Sequence, residues 1–175
     1  TRFITGGFLE EDGEVWDAQT DSSRIPEAVR QLVGYAVLAS PADPFDPMEK
    51  AVREVGTRVL PGEVHLHGDW KLLREYPLSS ALLAMSRVWE SAERRRLLVA
   101  AKGAPEALAE LCHLSEAQVT ALHRDTSALA DLGLRVIGVA AAEIDKGRLP
   151  ESQHHFPFRL LGLLGLNDPV RPGVK

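Results

Sequence analysis

Apolar residues recur at helical spacing early in the chain. Ile25, Val29, Leu32, Val33, Ala36 and Val37 share one face and predict an amphipathic helix over Pro26–Ala39. Before it, Thr1 to Trp16 alternates weakly around Asp12-Gly13, which predicts a β-hairpin of Phe3–Leu9 and Glu14–Asp17. A loop with three prolines, Ser40–Pro47, follows the helix. In Asp46-Pro47-Met48-Glu49 an N-cap acid precedes a proline at the first helical position and a glutamate at the third, so a short helix should run to about Val55. Pro61–Asp69 reads as a polar connection. Three strands are predicted next, at Lys71–Pro77, Met85–Glu90 and Arg95–Lys102. Ala104–His113 is a short helix. Ser115-x-x-Gln118 caps another, whose face carries Val119, Leu122, Thr126 and Leu129 and which ends near Gly133. Leu134–Ala142 and Phe158–Leu166 are strongly β-like, separated by a loop over Asp145–Pro157. This order does not alternate strictly between strand and helix. It predicts an α+β fold: a mainly antiparallel sheet of about six to seven strands with helices packed on it.

Composition narrows the picture. The 175 residues suffice for one domain with its own core, and 45% hydrophobic with 26% charged residues is an ordinary balance. The net charge of −5 argues against a general nucleic-acid partner, which selects a basic stripe. A single cysteine, Cys112, allows no intrachain disulfide and reads as a packing residue of a short helix. No apolar run reaches the roughly 20 residues that cross a bilayer. The chain opens on Thr1 and closes after Asn167-Asp168-Pro169-Val170-Arg171-Pro172, so both ends are expected to be cuts through a longer protein.

Several familiar sites are missing. There is no G-x-x-x-x-G-K-[ST] or G-x-G-x-x-G loop, no G-x-S-x-G elbow and no zinc-like Cys/His spacing. His65-x-His67 and His154-His155 read as solvated loop residues. What stands out is Lys102-Gly103-Ala104-Pro105-Glu106. An apolar strand, Leu97–Ala101, delivers one ammonium to a sheet rim, a turn follows at Gly103, and Pro105 opens a helix. Lysine's three donors suit phosphate or a purine edge, and Gly103 would let a ligand approach the backbone. Arg135 is the only charge in the run Gly133–Ala140; if it is buried it needs an anionic partner, either a bound phosphate or a structural carboxylate.

Four blocks, in order, resemble the nucleotide-binding domain of cation-transporting P-type ATPases: Asp46-Pro47-Met48-Glu49-Lys50-Ala51, Glu75-Tyr76-Pro77-Leu78-Ser79-Ser80 with Met85-Ser86, Lys102-Gly103-Ala104-Pro105-Glu106, and Gly133–Ala140. The resemblance covers most of the chain and implies roles residue by residue. Glu49 would accept from the adenine amine. Leu78 stands where the family has an aromatic residue stacked on adenine, and Leu83 where many members have a lysine. Lys102 and Gly103 would line the nucleotide pocket, and Arg135 would meet the phosphates. Residues 167–175, with Asp168, Pro169 and Arg171, resemble the hinge back to the phosphorylation domain.

The resemblance thus implies an ATP-binding domain, 1–175, of a membrane cation pump. It would hold adenosine and present the γ-phosphate to an aspartate on the phosphorylation domain of the same chain. That aspartate's D-K-T-G-T segment should lie before Thr1. The T-G-D-G-x-N-D segment that binds Mg2+ should lie after Lys175. The fragment itself is expected to be monomeric, to bind ATP without hydrolysing it, to hold no metal, and to meet the membrane only through the full-length protein. The leucines at 78 and 83 also fit a second reading, a docking or regulatory domain of such a pump with little or no nucleotide binding. The transported cation is not encoded in this segment.

Overall fold

The computed structural model describes residues 2–5, 14–17, 25–60, 62, 70–91 and 95–167. The elements are β1 (Arg2–Thr5), β2 (Glu14–Asp17), α1 (Glu27–Leu38), α2 (Pro47–Val59), β3 (Trp70–Tyr76), β4 (Ala84–Ser91), β5 (Arg96–Gly103), α3 (Pro105–Leu111), α4 (Glu116–Ala130), β6 (Leu134–Asp145) and β7 (Arg159–Asn167). The strands form one sheet in the order β2-β1-β7-β6-β5-β4-β3. All neighbours run antiparallel. This is the α+β architecture the pattern predicts. The rest of the predicted Phe3–Leu9 strand after Thr5, the turn near Asp12-Gly13, the His65-x-His67 pair and the hinge residues Asp168, Pro169 and Arg171 lie outside the described residues.

Helices cover both faces of the sheet. On one, Val29, Leu32, Val33 and Ala36 of α1 and Val52, Val55 and Val59 of α2 pack on Ile137, Val139, Leu161 and Leu164. On the other, Leu108 and Leu111 of α3 meet Val88, Leu97, Val99 and Phe156, while Leu122 and Leu129 of α4 meet Leu163. Two-sided cover explains why β5 is apolar without alternation from Leu97 to Ala101. Burying each such leucine or valine stabilises the fold by about 1.5–3 kcal/mol.

Local signals set the helix starts. Asp46 Oδ1 accepts from the Met48 and Glu49 backbone N–H groups at 2.8 and 3.3 Å, with Pro47 behind it. Ser115 and Gln118 form a reciprocal capping box on α4. Helix α2 runs past the expected Val55 to Val59 because its apolar stripe continues and Gly56 lies against Val37. Strand β6 likewise continues past Ala142 to Asp145, paired with Arg96 of β5. Within the 145–157 connection a 3-10 turn, Gln153–His155, is tethered to the sheet: Ser86 Oγ donates to Gln153 Oε1 at 2.7 Å and Gln153 Nε2 donates to the Ala84 carbonyl at 3.2 Å.

Candidate functional site

Lys102 is the penultimate residue of β5 and faces the layer of α1 and α2. Its Cα partners are Met85 on β4 and Val139 on β6. The side chain is not free at the rim. It is 10% exposed, and Nζ donates to Glu49 Oε1 at 2.8 Å and to Ser40 Oγ at 2.9 Å. Two residues that sequence placed in one pocket, 53 positions apart, are therefore in direct contact. The cause is local. The Asp46 cap and Pro47 start α2 beside the end of β5, and the third helical residue, Glu49, then reaches the ammonium. Burial lowers the Lys102 pKa from the usual lysine value. The hydrogen bond and charge of Glu49 and the charge of Asp46 oppose that shift, and the nearby Arg87 guanidinium reinforces it.

Gly103 follows, crowded by the neighbouring strand. A Cβ there would lie 2.4 Å from the Leu83 carbonyl oxygen and 2.6 Å from Ala84 Cα. This close approach is by the neighbouring strand of the same sheet and gives the glycine a packing reason. Next to it, the Ala104 N–H donates to the Leu83 carbonyl at 2.9 Å. Leu78 lies in the β3–β4 connection and is 57% exposed, so it is not a core residue. Leu83, just before β4, is half exposed as well.

Arg135 is not buried, so it does not need a structural carboxylate. It sits near the start of β6, beside Leu166 of β7, and is exposed. Among the described residues no carboxylate pairs with it. The first residues of β6 extend beyond the end of β5, where among the described residues no neighbouring strand flanks them on that side. Arg135 shares the sheet face of Ile137 and Val139 and lies four residues from Val139, about 13 Å along the strand. Lys102 and Arg135 thus do not converge on one atom; they are spaced along one face.

The region holds a buried ammonium–carboxylate pair, two exposed leucines in and after the β3–β4 connection, and a distant exposed guanidinium on the same sheet face as the ammonium. Residues 46–173 match the family described as P-type ATPase, cytoplasmic domain N. The chain belongs to this family. It is 29% identical over 144 residues to the calcium-transporting ATPase of Bacillus subtilis (strain 168), covering 74% of this chain and 16% of that protein. It is 28% identical over 141 residues to calcium-transporting ATPase 2, plasma membrane-type, of Arabidopsis thaliana, covering 74% of this chain and 14% of that protein. The chain thus spans about a sixth or less of the length of these relatives.

In this N domain, sequence reasoning missed Ser40 and Arg87. Ser40 is fully buried; its hydroxyl accepts from Lys102 and donates to the Ala36 carbonyl at 2.8 Å. Arg87 is 9% exposed, pairs with Glu75, and donates from Nη1 to the Ser40 carbonyl at 2.9 Å. The available signal was the charge in Met85-Ser86-Arg87-Val88-Trp89, a strand otherwise buried on both faces. Elsewhere in the N domain, His154 Nε2 contacts Glu110 Oε1 at 2.8 Å, and α3 and α4 flank a groove of about 310 Å³ that includes Pro105, Glu110, His113 and His123. Among the described residues, no group of three or more His, Cys, Asp or Glu side chains is placed to hold a metal ion, and no helix is long and apolar enough to cross a membrane.

Proposed function

We propose that this N domain binds ATP between the α1–α2 loop, the β3–β4 connection and the end of β5. In this reading the Lys102–Glu49 pair lies toward the base, Leu78 presses on its face, and Arg135 lies toward the phosphates. The observation that carries the reading is the Lys102–Glu49 contact, which places a donor beside an acceptor at the end of a rigid strand. A purine edge carries the complementary pattern. The γ-phosphate would then be presented to the aspartate of a separate phosphorylation domain, with Mg2+ held by segments outside this chain. The hinge Asp168-Pro169-Val170-Arg171 would set the swing, and in-line transfer would follow domain closure. The whole protein, on the names of its relatives, would be an ATP-driven cation pump whose phosphoenzyme drives ion movement across a membrane.

Two charged contacts and a leucine wall support modest affinity, about −4 to −6 kcal/mol, or roughly high-micromolar to millimolar Kd. Titrating ATP into the 15N-labelled domain tests the assignment. Lys102→Ala should weaken binding several-fold while the spectrum stays dispersed. Equal affinities for the two proteins would remove the assignment. The exposure of Leu78 and Leu83 favours a second reading, a docking domain with feeble nucleotide binding. No detectable binding at several millimolar ATP, for both the natural protein and Leu78→Phe, would select it.

A further inference from the structure

We propose that Arg87 is a positioning residue for nucleotide binding, acting on Lys102 through Ser40. The inference rests on the ATP-binding reading. Arg87 lies on β4 opposite Ala100, two residues on from Met85, the partner of Lys102; both cations therefore stand on the same face of adjacent strands. Its guanidinium is fixed at one end by Glu75 and donates at the other to the Ser40 carbonyl at 2.9 Å. Its Nε is buried with no partner among the described residues.

Ser40 is held from two sides. Its carbonyl takes the Arg87 hydrogen bond, and its hydroxyl takes the Lys102 hydrogen bond at 2.9 Å. Ser40 follows α1 and opens the Pro41–Asp46 loop, in which, among the described residues and ahead of the Asp46 cap, Arg53 Nη1 reaches the Pro41 carbonyl only at 3.5 Å. Without Arg87 the serine would be anchored through its hydroxyl bond to Ala36 and the backbone N–H bond to Val37. The Ser40 peptide, and with it the Oγ that receives the ammonium, would then lose the restraint on its carbonyl side. A cation left in the sheet layer is a poor choice for stability alone, since an apolar residue of similar volume usually serves as well. Its geometry fits a different demand, holding a second cation still. A lysine at 87 reaches the same carbonyl with one donor, whereas methionine reaches it with none.

The test is a double-mutant cycle read by ATP titration in NMR, on the natural chain, Arg87→Met, Lys102→Ala and the double variant. Arg87→Met should weaken ATP about 3–10-fold, the net worth of one typical hydrogen bond passed on through a chain of contacts. In the Lys102→Ala background the same change should have no further effect. Arg87→Lys should restore most of the affinity, and the Lys102 side-chain resonances should broaden or shift in Arg87→Met before any ATP is added. If Arg87→Met loses its dispersed spectrum, Glu75→Gln takes its place in the cycle, with about a two- to three-fold loss expected. Natural affinity in a folded Arg87→Met, or losses that multiply in the double variant, overturn the inference and leave ATP binding standing. No ATP binding by the natural chain overturns both.

Discussion

Removing the Glu49 charge exposes what the buried pair does. In Glu49→Gln the Lys102 ammonium keeps Ser40 Oγ and an amide oxygen but loses its counter-charge in a site where its side chain is 10% exposed. Breaking a fully buried pair from one side is destabilising by about 3–5 kcal/mol; with Glu49 18% exposed the figure here is discounted to about 2–4 kcal/mol. At a urea m-value of about 2 kcal/mol/M, the midpoint at pH 7 should fall by about 1–2 M. The Lys102 pKa is already lowered by burial, with Glu49 the largest opposing influence, so it should fall further in Glu49→Gln.

The sign of the pH dependence follows. As pH falls below the unfolded lysine value of about 10.4, the unfolded chain takes up its proton before the folded one does. This group's contribution to stability is therefore greatest above that value and declines as pH drops through the folded pKa. The Glu49→Gln substitution widens the window. NMR titration of the Lys102 side chain reads the pKa directly, and urea unfolding at pH 7 and 10 reads the linkage. The decisive comparison is Lys102→Met combined with Glu49→Leu. An apolar pair of similar volume should return stability to within about 1 kcal/mol of the natural protein. ATP binding should nevertheless be lost. If the double variant is as unstable as Glu49→Gln alone, the pair is a structural element and this reasoning fails. An unmoved Lys102 pKa in Glu49→Gln fails it independently.

Other sites carry their own predictions. Gly103→Ala forces a Cβ to within 2.4 Å of the Leu83 carbonyl oxygen, so the β4–β5 register must yield; about 1–3 kcal/mol or more of stability should be lost, measured by urea midpoint. Leu78→Phe adds a ring at a position 57% exposed, so stability should hold while ATP binds about 5-fold or more tighter by titration; unchanged affinity removes Leu78 from the base contact. Cys112, whose thiol burial pushes up to about 12, should react with a disulfide reagent at pH 8 far more slowly in the native protein than in urea.

Sequence pattern reaches some of this structure and stops at a physical boundary. Periodicity placed α1, α4 and the core strands because burial on one or two faces writes itself into residue spacing, as in Val29-Leu32-Val33-Ala36 and Leu97–Ala101. Capping chemistry placed Asp46 and Glu49 for the same reason, since a cap is a contact between near neighbours. Lys102 was found because it stands at a strand end. What pattern does not carry is the identity of the residue opposite. Lys102 meets Ser40 across 62 positions and Arg87 meets the Ser40 carbonyl across 47, and only the sheet order and the seating of α1 bring them together. Arg135 shows the converse. Its apolar neighbours imply burial, yet the strand overhangs the sheet end there, and exposure depends on where β5 stops. Three residues whose surroundings the pattern does not supply share one cause: each depends on where a strand runs or stops. At Gly103 the neighbouring strand comes close, at Arg135 it has ended, and at Leu78 the chain has left the sheet. A slot at a sheet rim, as proposed here for a nucleotide, would be built from such edges, so its chemistry is legible in the motif while its geometry depends on strand length.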